Sequence, residues 1–169
     1  IRILILHPGL KDEPLKCSLK LERLGSMDTE YEALSYVWGS EVASDTIQLG
    51  SGPFYVTRNL LDALLELRQE NEQKVLWVDA LCINQCNMEE RNGQVSVMHK
   101  IYESAKDVIA WLGAATADEL RVLWPLARTE DNSPYFRGAE VSEELKSLVD
   151  REYWKRAWIV QEIAFARSV

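Results

Sequence analysis

The aromatic segment near the end of the chain, residues 153–166, carries the residue types best suited to chemistry. Folded as one helix, it places Trp154, Trp158 and Glu162 at i, i+4 and i+8, one above another on a single face. A carboxylate at the end of a stripe of indoles is poorly solvated. Poor solvation raises the pKa of a carboxyl group and makes that group a candidate for catalysis.

A structural interpretation fits the same spacing. Both tryptophans would then belong to the core, and Glu162 would be a rim carboxylate paired with Arg156 or Lys155. Structural ion pairs perturb pKa values just as catalytic sites do, so this segment does not decide between the two interpretations. The decision depends on the residues upstream.

Length and composition predict one globular domain spanning residues 1–169. The chain has 47% hydrophobic and 27% charged residues, which are values of a folded protein with a real core. Its net charge of −8 argues against nucleic acid as a partner, because phosphate binding needs a basic face. No apolar run approaches the roughly 18 residues of a membrane span.

The cysteines and histidines predict neither disulfides nor a metal site. Cys82 and Cys86 are spaced C-x3-C, but no second pair follows, and the only histidines are His7 and His99. Structural zinc needs about four ligands at motif spacing. Three reduced thiols suit the cytosol, so we expect a cytoplasmic protein without a signal peptide. A hydrolytic triad is also disfavoured, because His99 lies on the polar flank of a predicted helix.

Three apolar segments predict the strands that position the site: residues 31–38, 75–83 and 107–112. Predicted helices follow them, at residues 60–70 with Asn59 as N-cap, and at 88–104 with Asn87 as N-cap. This alternation predicts adjacent parallel strands with helices on both faces. Asp79 then lies at the carboxyl end of its strand, where open α/β sheets bind ligands.

The remaining segments are predicted to add strand pairs and helices to this sheet. Residues 1–6 and 15–22 predict an N-terminal strand pair within residues 1–30, and residues 46–49 and 54–57 predict a hairpin. Residues 116–128 and 143–149, the latter capped by Ser142, predict helices on either side of a polar loop at 129–140.

Four motifs, in order along the chain, resemble the fungal heterokaryon-incompatibility (HET) domain. They are YEALSYVWG (31–39), VLWVDALCINQ (75–85), ERNGQVSVMHKIYESAKDVIAWLG (90–113) and YWKRAWIVQE (153–162). Residues 114–150 carry no family signature and are expected to be a variable helical insertion. The resemblance implies a trigger of programmed cell death in fungal vegetative incompatibility and innate immunity. It also implies self-association and fused or partner signalling domains.

The HET domain is in turn similar to TIR domains, which implies a TIR-like or flavodoxin-like α/β fold. That fold is doubly wound, with a mainly parallel sheet, helices on both faces and β-hairpin additions. Enzymatic TIR domains keep a catalytic glutamate in a W-x-x-x-E motif, and Trp158 to Glu162 has this spacing. By this analogy Glu162 would be the catalytic carboxylate and NAD, or a related nucleotide, the substrate, with no cofactor required.

Cleaving the nicotinamide–ribose bond passes through an oxocarbenium-like state, which a nearby carboxylate stabilises. Nicotinamide is a good leaving group, so no strong general acid is needed. In this interpretation Trp158 and Trp38 stack on the ligand and Asp79 is a polar ligand at the strand end. The predicted pocket also includes three residues of the first motif, Ser35, Tyr36 and Gly39.

Two alternatives stay open at this point. One is a non-catalytic death-signalling module whose motifs are structural and which acts by self-association. The other is a sensor that binds a small nucleotide without turnover. The position of Glu162 separates the enzyme from the scaffold, because a catalytic carboxylate must face a cleft at the strand ends.

Overall fold

A computed structural model describes residues 1–25, 29–39, 42–126 and 143–169. In this part of the chain, seven strands form one sheet: β1 Arg2–Leu6, β2 Lys16–Leu21, β3 Glu32–Tyr36, β4 Asp45–Leu49, β5 Gly52–Val56, β6 Lys74–Trp77 and β7 Val108–Trp111. The helices are α1 Arg58–Leu67, α2 Asp79–Cys82, α3 Met88–Ser104, α4 Ala117–Leu126, α5 Glu143–Val149 and α6 Ile159–Ala164, with a short 3₁₀ helix at Glu152–Lys155.

The strands lie in the order β5-β4-β2-β1-β6-β3-β7. Strand β3 pairs in parallel with both β6 and β7, and β2 pairs in parallel with β4. Strand β1 is antiparallel to both of its neighbours, and β4 is antiparallel to β5. The predicted α/β doubly wound class is confirmed, and so are the three adjacent parallel strands β6, β3 and β7, which form one side of the sheet.

The second of these strands is shorter than predicted. Strand β6 ends at Trp77, and the rest of the apolar run forms the short helix α2. Leu81, Cys82 and Ile83 stay buried although they are not in a strand. A short apolar run reports burial and does not distinguish a strand from a buried helical turn, which explains the error. Asp79 nevertheless lies at the strand end, as predicted.

Both predicted strand pairs are confirmed. Strands β1 and β2 pair antiparallel from Arg2 opposite Leu21 to Leu6 opposite Cys17. Strands β4 and β5 form the second hairpin, with Gly50 at its tip at a φ of 62° that favours glycine. The hairpin of β1 and β2 adjoins the three parallel strands through β1, which hydrogen-bonds to β6.

The predicted N-cap residue is confirmed for one of the two helices. Asn87 caps α3, and its side chain accepts a hydrogen bond from the Glu90 amide at 3.1 Å. Thr57, and not Asn59, caps α1, because the helix begins at Arg58 as soon as β5 ends. The predicted helices after β7 correspond to α4 and α5. The predicted cap Ser142 and the loop at 129–140 lie outside the described residues.

The sheet and the first three helices share one hydrophobic core. Its largest fully buried side chains include Trp77 from β6 and Tyr102 from α3, whose rings meet edge to face at 5.6 Å. Met98 and Ile101 complete the buried face of α3. This core fixes β3, β6 and α3 relative to one another, and these are the elements that border the candidate site.

Candidate functional site

The carboxyl ends of β3 and β6 bring Ser35, Tyr36 and Asp79 to one edge of the sheet. The two strands are parallel neighbours, so their carboxyl ends emerge at the same edge. Ser35 and Tyr36 end β3 and are buried, with 1% and 2% of their surface exposed. Asp79 opens α2, where its Oδ1 accepts a hydrogen bond from the Ala80 amide at 2.7 Å.

Trp38 is the first large side chain beyond β3 and covers this edge. Its indole Nε1 donates a hydrogen bond to Asp79 Oδ2 at 2.8 Å, which joins the loops that follow two neighbouring strands. Gly39 follows with a φ of 74°, so the turn after Trp38 needs a residue without a Cβ. Asn59 holds the same loop from α1, because its Nδ2 donates to the Val37 carbonyl at 2.7 Å.

Glu162 is buried in a network of polar side chains. Its two oxygens accept a bidentate pair of hydrogen bonds from Arg156, at 2.9 Å to Oε2 and 2.8 Å to Oε1. Ser35 Oγ donates to the same Oε2 and lies 2.7 Å from the Tyr153 hydroxyl. The Glu162 side chain is only 1% exposed, against 17% for Arg156, so the cationic partner is the one that reaches the surface.

Residues 153–166 do not form the single helix predicted from the sequence. The 3₁₀ helix ends at Lys155, Arg156 is extended, and α6 begins at Ile159. In a continuous helix, residues 156 and 162 would lie about 120° apart around the axis and about 9 Å apart along it, on different faces. The bidentate pair between Arg156 and Glu162 therefore requires the break.

The predicted stripe of indoles is consequently absent from this segment. Trp154 and Trp158 are 46% and 47% exposed, so neither belongs to the core as the structural interpretation expected. Glu162 is not a rim carboxylate either. Its pairing with Arg156 agrees with that interpretation, whereas Lys155 pairs with Glu152.

A cleft of about 330 Å³ opens at the strand ends above this network. Its lining combines two indoles, two carboxylates and two guanidinium groups with aliphatic and amide side chains: Trp38, Asp79, Ile83, Gln85, Arg91, Val95, Met98, Arg156, Trp158 and Glu162. The charged groups balance when all four are ionised. The cleft can therefore hold a planar ring against an indole and present either charge sign to a polar ligand.

The ionisation of Asp79 is perturbed in this cleft. Burial raises its pKa from 3.8 to about 6, although the hydrogen bonds from Trp38 and Ala80 act in the opposite direction. Nearby Glu162 raises the pKa of Asp79 further and Arg156 lowers it. Burial also raises the pKa of the Tyr36 hydroxyl well above its usual value, so Tyr36 stays neutral beside Asp79.

The structure brings four of the seven predicted site residues into one cleft: Trp38, Asp79, Trp158 and Glu162. Ser35 lies directly behind Glu162 and contacts it. Tyr36 lines a neighbouring cavity that shares Trp38 with the cleft. Gly39 is exposed in the turn after Trp38 and lies outside the lining of the cleft.

Comparison with known proteins assigns the chain to a family. The family model described as heterokaryon incompatibility protein (HET) matches residues 31–162, a span that begins just before β3 and ends at Glu162. The chain belongs to the HET family. The matched span of this HET chain contains every residue that lines the cleft.

A curated relative extends the similarity beyond the family model. The HET chain is 32% identical over 168 residues to heterokaryon incompatibility protein 6, OR allele, of Neurospora crassa. The alignment covers 91% of this chain but 23% of the relative, so the chain spans about a quarter of that protein's length. No solved structure matches the HET chain.

Sequence reasoning missed several residues of the HET cleft. Arg156 was considered only as a structural partner, yet it lines the cleft and holds both oxygens of Glu162. Arg91 and Gln85 also line the cleft, and Gln85 donates a hydrogen bond to the Asp79 carbonyl at 2.9 Å. Arg91 and Gln85 lie within family motifs, which was the available signal. Arg156 also lies within a family motif, but its six-residue spacing from Glu162 matches no helical period and gave no signal that the two side chains pair.

The described part of the HET structure contains neither a metal-binding cluster nor a membrane-spanning helix. Across the described ranges, no group of three or more His, Cys, Asp or Glu side chains is placed to hold a metal ion. Over the same part of the chain, no helix is long and apolar enough to cross a membrane.

Proposed function

We propose that this HET domain acts in heterokaryon incompatibility as a trigger of programmed cell death, and that its cleft cleaves NAD at the nicotinamide–ribose bond. Membership of the HET family and the similarity to the Neurospora crassa protein support the biological role. The enzymatic part of the proposal rests on the cleft. In a longer protein, other domains would supply the activating signal.

The observation that carries the enzymatic proposal is one cleft with two indoles beside two carboxylates at the carboxyl ends of parallel strands. Trp38 and Trp158 are each close to half exposed, so their ring faces are available to stack on a flat heterocycle. Small-molecule sites range from about 300 to 1,000 Å³. A cleft of about 330 Å³ therefore suits a nicotinamide ring with its ribose.

The proposed reaction is the hydrolysis of an N-glycosidic bond. The bond between ribose C1′ and the pyridinium nitrogen breaks, and its electron pair leaves with neutral nicotinamide. The resulting oxocarbenium ion gains stability from the adjacent carboxylate of Glu162 and is captured by water at C1′. The water loses a proton, for which Asp79 is the acceptor, because a carboxylate with a pKa of about 6 is mostly ionised at pH 7.

Arg156 must take part in this reaction, because it holds both oxygens of Glu162 in the free protein. Arginine binds phosphate in the same bidentate manner as carboxylate. Substrate phosphates that engage Arg156 would weaken its pairing and free a Glu162 oxygen toward the ribose. The pair would thus keep Glu162 oriented until a substrate arrives.

A second candidate function is a non-catalytic module that acts by self-association. The observation that favours it is the complete engagement of Glu162 by Arg156 and Ser35, as in a structural ion pair. Trp154, Val160 and Phe165 on the same segment are all exposed and could contact another copy. Under this alternative, loss of the Glu162 charge would matter only through stability.

The experiment that separates the two candidates measures nicotinamide release from NAD by the purified protein and by Glu162→Gln. If Glu162 stabilises the transition state, the variant should lose at least about 100-fold in kcat with little change in KM. Glu152→Gln is the matched control, because Glu152 lies ten residues earlier, is exposed and pairs with Lys155. It should keep the full rate.

Folding of each variant is checked by circular dichroism at the assay temperature, so a lost rate is not confused with unfolding. Unchanged turnover in a folded Glu162→Gln variant would contradict the catalytic role of Glu162. NAD binding without turnover, together with cell killing that persists in Glu162→Gln, would contradict the enzymatic proposal and support a sensor or a scaffold.

A further inference from the structure

A second cavity of about 230 Å³ lies directly beside the cleft. The two share Trp38 and Gln85 as common walls. The other walls of the second cavity come mainly from β5 and the start of α1, including Phe54 and Leu60. A ligand that passes Trp38 could therefore occupy both spaces at once.

The second cavity differs from the cleft in its chemistry. Its described lining holds no charged side chain, whereas the cleft has four. Phe54 is 39% exposed and lies on the same strand face as buried Val56, because residues two apart in a strand point the same way. Thr57 and the neutral hydroxyl of Tyr36 add a few polar atoms. Such a cavity suits a flat, neutral heterocycle.

We propose that the second cavity binds the adenine ring of the dinucleotide whose nicotinamide half lies in the cleft. This inference rests on the proposed function and deepens it, because it assigns the adenine half of NAD to a site of its own outside the cleft. A dinucleotide has two flat rings joined through two riboses and a pyrophosphate, which matches two neighbouring cavities that share Trp38 and Gln85 as walls. Arg91 and Arg156 line the cleft and offer cations to the phosphates.

The proposed arrangement also explains the fixed position of Trp38. Its indole is held by the hydrogen bond to Asp79 at 2.8 Å, and Asn59 holds the preceding carbonyl of Val37. A wall that is already fixed loses little conformational entropy when rings pack on it. Trp38 therefore contributes to both halves of the site, while Phe54 belongs only to the adenine half.

The test compares three ligands, NAD, nicotinamide mononucleotide and AMP, with dissociation constants measured by calorimetry. Stacking of one base on an aromatic residue contributes about 1–3 kcal/mol, so NAD should bind at least about 5-fold more tightly than the mononucleotide. Phe54→Ala should remove most of this difference and weaken AMP similarly, while binding of the mononucleotide stays unchanged. Leu21→Ala, an exposed change on β2 that lines neither cavity, should alter nothing.

The outcomes distinguish this inference from the function on which it rests. If the mononucleotide binds, but NAD binds no more tightly or is insensitive to Phe54→Ala, the adenine site is wrong while the cleft proposal survives. If AMP binds in a Phe54-dependent manner but NAD is never cleaved, the adenine site stands and the enzymatic proposal falls. Binding of none of the three ligands would overturn both. Phe54→Leu, which keeps apolar bulk without an aromatic face, replaces Phe54→Ala should that variant unfold.

Discussion

Removal of the Glu162 charge should destabilise the fold strongly, apart from any effect on catalysis. Glu162 is 1% exposed and Arg156 17% exposed, and two hydrogen bonds of 2.8 and 2.9 Å join them. Loss of one partner from a buried ion pair costs about 3–5 kcal/mol, because the other charge stays desolvated. Arg156 reaches the cleft and can recover some hydration, so we expect about 3 kcal/mol for Glu162→Gln.

This value can be measured by urea denaturation at pH 7 as the change in free energy of unfolding. For a domain of this size it corresponds to a fall of roughly 6–12 °C in the melting temperature. The double variant Arg156→Gln/Glu162→Gln removes both charges and should be more stable than Glu162→Gln by about 1–2 kcal/mol, since no buried charge is left unpaired.

Glu152→Gln serves as the control for this stability series. Glu152 is 74% exposed and its partner Lys155 62% exposed, so its loss should change the free energy of unfolding by less than about 0.5 kcal/mol. A Glu162→Gln variant as stable as the wild type would refute the reasoning. So would a double variant whose loss equals the sum of the two single losses.

Two further predictions concern the elements around the cleft. Because burial raises the pKa of Asp79 to about 6, its ionisation destabilises the folded state as the pH rises from about 4 to 6. Asp79→Asn has no such ionisation. Its free energy of unfolding relative to that of the wild type should therefore rise by on the order of 2 kcal/mol between pH 4 and pH 7. Urea denaturation that gives the same difference between variant and wild type at both pH values would contradict this. Asn59→Ala should cost more stability than Thr57→Ala, although Thr57 is the helix cap. Asn59 donates to the Val37 carbonyl and accepts from Trp111 Nε1 at 2.9 Å, whereas the bond of the cap is 3.4 Å long. Equal falls in melting temperature for the two variants would contradict this, because the cap would then contribute as much as the loop contacts.

The sequence by itself determined the three parallel strands β6, β3 and β7, and the family. The segments that became these strands are short and mainly apolar, a pattern that is typical of strands in a parallel sheet covered by helices. Asp79 interrupts its run where the strand ends, so its place at the ligand-binding edge could be predicted. Hairpin turns and the Asn87 cap are also local signals, and they agree with the structure.

Only the tertiary structure decided the conformation of residues 153–166 and the environment of Glu162. The helical pattern of this segment is genuine, but local periodicity is a weak preference that tertiary contacts override. Here a bidentate ion pair and the contact of Ser35 with Glu162 hold the segment in two pieces. Ser35 lies 127 residues from Glu162 in sequence, so no local window contains that information. The same holds for Trp38 and Asp79, 41 residues apart, whose hydrogen bond depends on the parallel pairing of their strands.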